Sequence, residues 1–325
     1  MQKRIPENNA GKTGISVVIP AYNSQNSLKE LIQRLIPVLS AITDKFEVII
    51  INDGSQDGTW GVIRELAFQN QWLSGSNLMR NFGQHNALLC GIRDADYDTI
   101  ITIDDDLQHP PEEIIRLLDE LNKGFDVVYG TPKHERHGLF RDLASQVTKI
   151  ALQSSMGAQT ARQVSAFRAF RTKVRDAFAM YQGPHPNIDV LLTWGTVRFS
   201  SVEVSHEPRR IGQSAYSLYK LVIHAMNLIT GFSVLPLQFA SIIGFIFTLF
   251  GVVVFVYAII NYIIRGGAVP GFTFLASIIS IFSGAQLFAL GIVGEYLARM
   301  HFRIMDRPSY VVQEKISRGT DKELE

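Results

Sequence analysis

Three adjacent carboxylates, Asp104, Asp105 and Asp106, directly follow the apolar run 100–103 (Ile-Ile-Thr-Ile). Like charges at this spacing repel, so a buried strand does not normally end in three acids unless a cation is bound there. We therefore expect a divalent cation that holds an anionic substrate at the carboxyl end of this strand. A simpler interpretation is an acidic cap for the helix that begins near residue 110. One acid would serve that purpose, and three exceed it.

Two further polar clusters also follow apolar runs with the pattern of buried strands. The run 15–20 (Ile-Ser-Val-Val-Ile-Pro) precedes Tyr22, and the run 46–51 (Phe-Glu-Val-Ile-Ile-Ile) precedes Asp53. Helical patterns alternate with these strands, which predicts an α/β domain with a Rossmann-like, mostly parallel sheet. Ligands of such sheets bind beyond the carboxyl ends of the strands, so we expect Tyr22, Asp53 and the three acids to meet there. Taken alone, Asp53 is equally consistent with a turn and Tyr22 with packing.

Composition excludes several classes of function. The chain has 325 residues and a net charge of +1, which gives no indication of a nucleic-acid partner. Cys90 is the only cysteine, which excludes a disulfide scaffold and a cysteine-based zinc site. Residues 1–14 are polar, so we expect a short N-terminal tail and no signal peptide. The mean hydropathy of +0.11 is high for a soluble protein and arises from the last third of the chain.

That last third has the pattern of a membrane anchor. Runs 235–264 and 272–298 are almost wholly apolar, and each exceeds the roughly 20 residues needed to cross a bilayer. Residues 216–232 carry a narrow polar stripe that favours a helix lying in the membrane interface, although a buried helix of the globular domain is the alternative. Basic residues flank the outer ends of the two spans. The positive-inside rule then places the domain 15–215 and the C-terminal tail 299–325 in the cytoplasm, at the inner membrane.

Four short segments form a specific pattern: 17–23 (Val-Val-Ile-Pro-Ala-Tyr-Asn), 52–55 (Asn-Asp-Gly-Ser), 80–87 (Arg-Asn-Phe-Gly-Gln-His-Asn-Ala) and 104–110 (Asp-Asp-Asp-Leu-Gln-His-Pro). They resemble the corresponding segments of family 2 glycosyltransferases of GT-A fold, and within these the polyprenyl-phosphate glycosyltransferases. That group includes bactoprenol glucosyltransferases, dolichol-phosphate mannose synthases and undecaprenyl-phosphate aminoarabinose transferases. The resemblance extends over roughly residues 15–313. It implies an inverting, Mg²⁺- or Mn²⁺-dependent transfer of sugar from a nucleoside diphosphate sugar, such as UDP-glucose, to polyprenyl phosphate for cell-envelope glycan modification.

The resemblance also implies a role for individual residues. Asp104, Asp106 and Arg209 would be catalytic, with Arg209 as a cation for the transition state. The nucleotide sugar would be bound by Pro20, Ala21, Tyr22, Asp53, Asp104 and Asp105, of which Asp105 is the variable middle residue of the acidic pattern. The metal would be bound by Asp104, Asp106 and Gln108. The acceptor phosphate would be bound by Lys133, Arg136, Arg141 and Ser145.

Two positions depart from the family pattern, and they leave alternatives open. Ala166 stands where relatives often have Asp, and Ala215 where they have Lys. Asp189 is the nearest later acid; it either compensates for Ala166 or caps a helix. The enzyme alternative is a processive polysaccharide synthase, although the Gln-x-x-Arg-Trp motif of that class is absent from the sequence. The other is a non-catalytic membrane scaffold with a decayed transferase domain. A homo-oligomer is compatible with all three.

Overall fold

A computed structural model describes residues 12–132, 164–183, 186–207, 235–265, 271–305 and 307–317. The chain divides into two units. The first comprises Met1–Val222 and Asp306–Glu325, and the second comprises Ile223–Met305.

The first unit is built on a mixed sheet, to which the described ranges contribute eight strands in the order β7-β5-β6-β4-β1-β2-β3-β8. The strands are β1 Lys12–Ala21, β2 Phe46–Asn52, β3 Leu73–Leu78, β4 Tyr97–Thr102, β5 Val127–Pro132, β6 Arg168–Arg171, β7 Phe199–Val204 and β8 Val312–Ile316. Strand β1 pairs in parallel with β2 and β4, and β2 pairs in parallel with β3. Strand β6 lies antiparallel between β4 and β5, and β5 pairs in parallel with β7. The sheet is therefore mixed but mostly parallel, as predicted.

Helices follow the parallel strands because the strands are apolar on both faces and must be covered. The helices of this unit are α1 Leu28–Ile42, α2 Thr59–Gln69, α3 Gln84–Asp94, α4 Ile114–Leu121 and α5 Ile188–Gly195, with 3-10 turns at Pro111–Glu113 and Thr172–Phe178. Helix α1 buries Leu28, Leu31 and Leu35 at helical spacing, and these pack into the same core as Val17 and Ile50. The predicted α/β architecture is confirmed.

The C-terminal segment corrects one prediction. Residues 299–325 were expected to form a tail, but Val312–Ile316 forms β8 and pairs antiparallel with β3. The backbone N–H of Met79 donates to the Val311 carbonyl at 3.0 Å, and Trp60 Nε1 donates to Glu314 Oε2 at 2.9 Å. The sequence of β8, Val-Gln-Glu-Lys-Ile, lacks an apolar run because its side chains at this sheet edge are mostly exposed.

The second unit contains two long helices, α6 Leu235–Arg265 and α7 Phe272–Ile304. Leu237–Asn261 has a mean hydropathy of 2.7 and Ile281–Ala298 one of 1.4, so both are long and apolar enough to cross a membrane. The rings of Phe247 and Phe282 lie 5.4 Å apart between the helices. Helix α7 continues to Ile304, beyond the predicted end of the span at 298.

Candidate active site

The carboxyl ends of β1, β2, β3 and β4 lie at one edge of the sheet because these four strands are mutually parallel. Each end opens into a loop with polar residues: 22–27 after β1, 53–58 after β2, 79–83 after β3 and 103–110 after β4. The register places Ala21 opposite Asn52, and the Asp53 N–H donates to the Ala21 carbonyl at 2.9 Å. The structure therefore brings Tyr22, Asp53 and the acidic triplet to one edge, as the strand pattern predicts.

The acidic loop 103–110 is held in a tight turn by its own apolar residue. Leu107 has a φ of 60°, in the left-handed region that side-chain-bearing residues rarely adopt, and its side chain is 2% exposed in the core. Burying this side chain offsets the cost of the backbone conformation, which is of order 1–3 kcal/mol. The Gln108 N–H donates to Asp106 Oδ1 at 3.1 Å, which closes the turn. Asp104, Asp105 and Asp106 each remain partly exposed.

The charged form of the Asp104 carboxylate is disfavoured by its surroundings. Burial raises its pKa to about 7, and the charges of Asp106 and Asp105 contribute to the rise, while the charge of Arg168 opposes it. Gln84, the first residue of α3, donates from Nε2 to Asp104 Oδ1 at 2.7 Å. The acidic loop therefore concentrates negative charge at an edge where a cation would be stabilised.

Asp53 connects the loops that follow β2 and β3. Its two carboxylate oxygens accept the backbone N–H groups of Phe82 at 2.7 Å and Gly83 at 2.9 Å. Burial nevertheless raises the pKa of Asp53 to about 6. Gly54 has a φ of 64°, and a Cβ there would lie 2.3 Å from the carbonyl carbon of Arg80, so only glycine allows this close approach of the two loops. The predicted contact of Asp53 with a nucleotide stays a prediction.

The loop after β1 presents the ring of Tyr22, which is 46% exposed. Asn23 follows with a φ of 55°, and its backbone N–H donates to Ser55 Oγ at 2.9 Å. Its side-chain Oδ1 accepts the N–H of Gln56 at 3.0 Å. Asp105 Oδ2 accepts the Tyr22 N–H at 3.3 Å and the hydroxyl of Ser24. The loop is thus fixed from both neighbouring strands while its aromatic ring faces solvent.

A buried ion pair lies behind the acidic loop. Arg168, on β6, is 2% exposed, and its NH1 donates to Asp189 Oδ1. Arg168 Nε also donates to Thr102 Oγ1 at 3.1 Å, and the Tyr129 hydroxyl donates to Asp189 at 3.2 Å. The cap of α5 is Asn187, whose side chain accepts the Val190 N–H. Asp189 is therefore not the helix cap that one interpretation of the sequence expected, and instead neutralises Arg168.

Several predicted residues fall outside the described ranges. These are the acceptor residues and the proposed transition-state cation: Lys133, Arg136, Arg141, Ser145 and Arg209. The interfacial helix predicted at 216–232 is also outside them. Glu207, two residues before Arg209, donates its backbone N–H to the carbonyl of Gln108 at 2.9 Å.

The donor set of the acidic loop fits Mg²⁺ or Mn²⁺. Within the described ranges, no three His, Cys, Asp or Glu side chains form a ready metal cage. Protein sites for Mg²⁺ commonly supply only one or two carboxylates and leave the remaining positions to water and substrate phosphates. Asp104 and Asp106, with the amide oxygen of Gln108, match that pattern of hard oxygen donors. His109 is no competing charge, because burial lowers its pKa to about 4 and leaves the ring neutral at pH 7.

Comparison with known proteins decides the family. The family described as "Glycosyl transferase family 2" matches residues 16–182, which include most of β1, all of β2 to β6, Asp53 and the acidic triplet. The chain belongs to this family. It is therefore an enzyme of the glycosyltransferase class, as the sequence motifs predict.

A cavity of about 280 Å³, lined by Gly14, Asp98 and Arg171 among others, lies at the opposite edge of the sheet and contains neither Asp53 nor the acidic triplet.

Relatives and solved structures agree with this membership. The undecaprenyl-phosphate 4-deoxy-4-formamido-L-arabinose transferase of Proteus mirabilis is 33% identical over 305 residues, 93% of this chain and 94% of that protein. The protein of the same name from Aeromonas hydrophila is 34% identical over 316 residues, 96% of this chain and 97% of that protein. The glucosyl-3-phosphoglycerate synthase of Mycobacterium tuberculosis, solved with Mn²⁺, UDP and phosphoglyceric acid, has a TM-score of 0.50 at 18% identity and covers 67% of this chain and 76% of that chain. This last similarity supports the GT-A fold.

Proposed function

We propose that this glycosyltransferase transfers a sugar from a UDP-sugar to undecaprenyl phosphate, with inversion at the anomeric carbon. The name shared by relatives that match almost the whole chain supports the lipid acceptor. The two apolar helices support an enzyme that acts on a lipid confined to the bilayer. UDP-glucose and a UDP-linked formamido-arabinose are the two donors to compare first.

The acidic loop would hold Mg²⁺ or Mn²⁺ through Asp104, Asp106 and Gln108. When bound, the metal would neutralise the charge that develops on the departing nucleoside diphosphate. Tyr22 would stack on the base, beside Pro20 and Ala21, and Asp53 would fix the surrounding loops. The raised pKa of Asp104 supports this role, because a bound cation would offset both its main cause, burial, and the further contribution of the Asp106 and Asp105 charges.

The acceptor phosphate needs little help to react. Its second pKa is about 6, so it is largely ionised at neutral pH and attacks without a strong general base. The protein must instead bring two anions together, which requires cations. Lys133, Arg136 and Arg141, with Ser145, would receive the acceptor, and Arg209 would stabilise the leaving diphosphate.

The sheet constrains the membrane topology. Strands β1 to β7 precede α6 and α7, and β8 follows them, yet all eight belong to one sheet. This connectivity supports a topology in which both ends of the helical pair lie on the same side of the membrane. Arg265 is the only Lys or Arg between residues 235 and 298, whereas Arg209, Arg210, Lys220, Arg299, Arg303 and Arg307 flank the outer ends. This asymmetry supports a cytoplasmic catalytic domain at the inner membrane.

The observation that carries the proposal is the convergence of the acidic loop and the Tyr22 loop at the carboxyl edge of a family 2 sheet. Purified enzyme should release nucleoside diphosphate and form a lipid-linked sugar when given undecaprenyl phosphate, a UDP-sugar and Mn²⁺. Asp106→Asn should lower this transfer by about 100-fold or more while the protein still folds. Asp119→Asn, an exposed acid on α4, serves as the matched control. Near-normal transfer by Asp106→Asn at saturating Mn²⁺ would remove the metal assignment.

The same assay separates the alternatives. A processive synthase would extend a polymer, whereas the proposed enzyme stops after one sugar per lipid. A non-catalytic scaffold would release no nucleoside diphosphate with any donor. A panel of labelled UDP-sugars, followed by extraction of the lipid fraction, identifies the sugar.

A further inference from the structure

We propose that Asp105 is a positioning residue, which holds the Tyr22 loop against the acidic loop and so sets the affinity for the nucleotide. The family resemblance places Asp105 among the residues that would bind the nucleotide sugar and makes it the variable middle acid, but it does not say how Asp105 would act. This inference rests on the proposed function, because it concerns how the donor site is assembled.

Two donors from the loop after β1 converge on one oxygen of Asp105. The Tyr22 N–H lies 3.3 Å from Asp105 Oδ2, and the hydroxyl of Ser24 donates to the same oxygen. The Ser24 hydroxyl oxygen in turn accepts the Tyr22 N–H at 3.1 Å. These three hydrogen bonds form a closed triangle of Asp105, Ser24 and the backbone of Tyr22. Ser24 and Asp105 are 81 positions apart in sequence.

This triangle completes the fixation of the Tyr22 loop. On its other side the loop is bound to the region after β2, through Asn23 N–H to Ser55 Oγ at 2.9 Å and Ser24 N–H to Thr59 Oγ1 at 2.7 Å. Ser24 is only 7% exposed, whereas the ring of Tyr22 is 46% exposed. The backbone is thus rigid and the ring free to meet a ligand, which is the arrangement expected of a preorganised stacking platform.

The triangle also distinguishes Asp105 from its neighbours. Asp104 is bound by Gln84 from α3, and Asp106 is bound by the N–H of Gln108 within its own loop. Asp105 instead accepts two donors from the Tyr22 loop. Because one oxygen accepts both donors, an amide oxygen at this position would serve as well. A role as metal ligand or as a required negative charge would instead need the carboxylate.

The test measures binding of the nucleoside diphosphate that the wild type binds best among UDP, GDP, CDP and dTDP, with Mn²⁺, by calorimetry on the full-length enzyme. Ser24→Ala and Asp105→Ala should each weaken binding about tenfold, the scale of one lost hydrogen bond. The loss in the double variant should be clearly smaller than the product of the two single losses, because both substitutions remove the Ser24–Asp105 contact. Asp105→Asn should stay within about threefold of the wild type. In turnover, KM for the donor should rise with kcat unchanged.

Ser200→Ala is the matched control, because Ser200 Oγ donates to the carboxylate of Glu120 at 2.7 Å, away from this edge. It should bind nucleotide like the wild type. The proposal is overturned if Asp105→Asn binds as poorly as Asp105→Ala, or if the Mn²⁺ requirement rises in Asp105→Ala but not in Ser24→Ala. Additive losses in the double variant would overturn it as well. A wild type that binds none of the four nucleotides would refute the proposed function itself.

Discussion

Asp189→Asn is the sharpest test of the buried ion pair behind the acidic loop. The substitution keeps the shape of the side chain but removes the charge that neutralises Arg168. Arg168 is 2% exposed and Asp189 is 5% exposed, so neither group has access to water as a substitute partner. The Tyr129 hydroxyl and Thr102 Oγ1 remain, but neither carries a charge.

The magnitude follows from this burial. Removing one partner of a buried pair costs about 3–5 kcal/mol, because the other charge is left uncompensated. In a domain of about 200 residues, 1 kcal/mol corresponds to about 2–4 °C in Tm. We therefore expect Asp189→Asn to lower Tm by about 6–20 °C. Adding Arg168→Met should recover part of this loss, since the unpaired charge is then gone.

Thermal unfolding in detergent, at one scan rate for all variants, measures the effect. Glu65→Gln is the control: Glu65 pairs with Lys29 at 2.7 Å, but both side chains are about half exposed, at 49% and 51%. Exposed pairs contribute about 0–1 kcal/mol, so its Tm should fall by at most about 4 °C. Equal shifts in the two variants would refute the interpretation that burial makes the Arg168 pair strong.

Three further outcomes are expected. Burial raises the pKa of Asp53 from 3.8 to about 6. The contribution of Asp53 to the free energy of unfolding therefore falls by on the order of 3 kcal/mol as pH rises through that range. In Asp53→Asn, Tm should depend less on pH. Of the two substitutions Glu314→Pro and Lys315→Pro, one should lower Tm and the other should not. The reason is that the N–H groups of neighbouring residues in β8 point alternately towards β3 and towards solvent. Cys90 is buried with a pKa of about 12, so iodoacetamide at pH 8 should label it in unfolded protein and not in folded protein, as mass spectrometry would show.

The sequence predicts those strands that consist mainly of apolar residues. Strands β1, β2 and β4 carry β-branched apolar runs, and all three are placed correctly. Strand β3 (Leu-Ser-Gly-Ser-Asn-Leu) has no such run, because small residues are needed where α2 packs closely. A Cβ at Gly75 would lie 2.5 Å from Ile63 Cγ2. Strand β8 was not predicted because it lies at an exposed edge of the sheet and has a polar composition.

The candidate active site, like the fold, could be predicted only in part. Which acids meet could be predicted, because parallel strands bring their carboxyl ends to one edge. The partner of each acid could not, because it depends on the backbone direction within the loops. Asn23 and Leu107 both adopt left-handed conformations that no local pattern indicates, with φ values of 55° and 60°. The pairing of Arg168 with Asp189 depends on β6 and α5 approaching each other in three dimensions.

The position of β8 has a consequence for biosynthesis. Leu78 pairs with Val312, so the edge of β3 waits for a partner that is made 234 residues later. At a synthesis rate of about 5–20 residues per second, this interval is on the order of 10–50 s. During that time β3 presents an open edge of the kind that recruits foreign strands. The sheet can close only after both long apolar helices have been translated, so the edge of β3 depends on the chain on both sides of these helices.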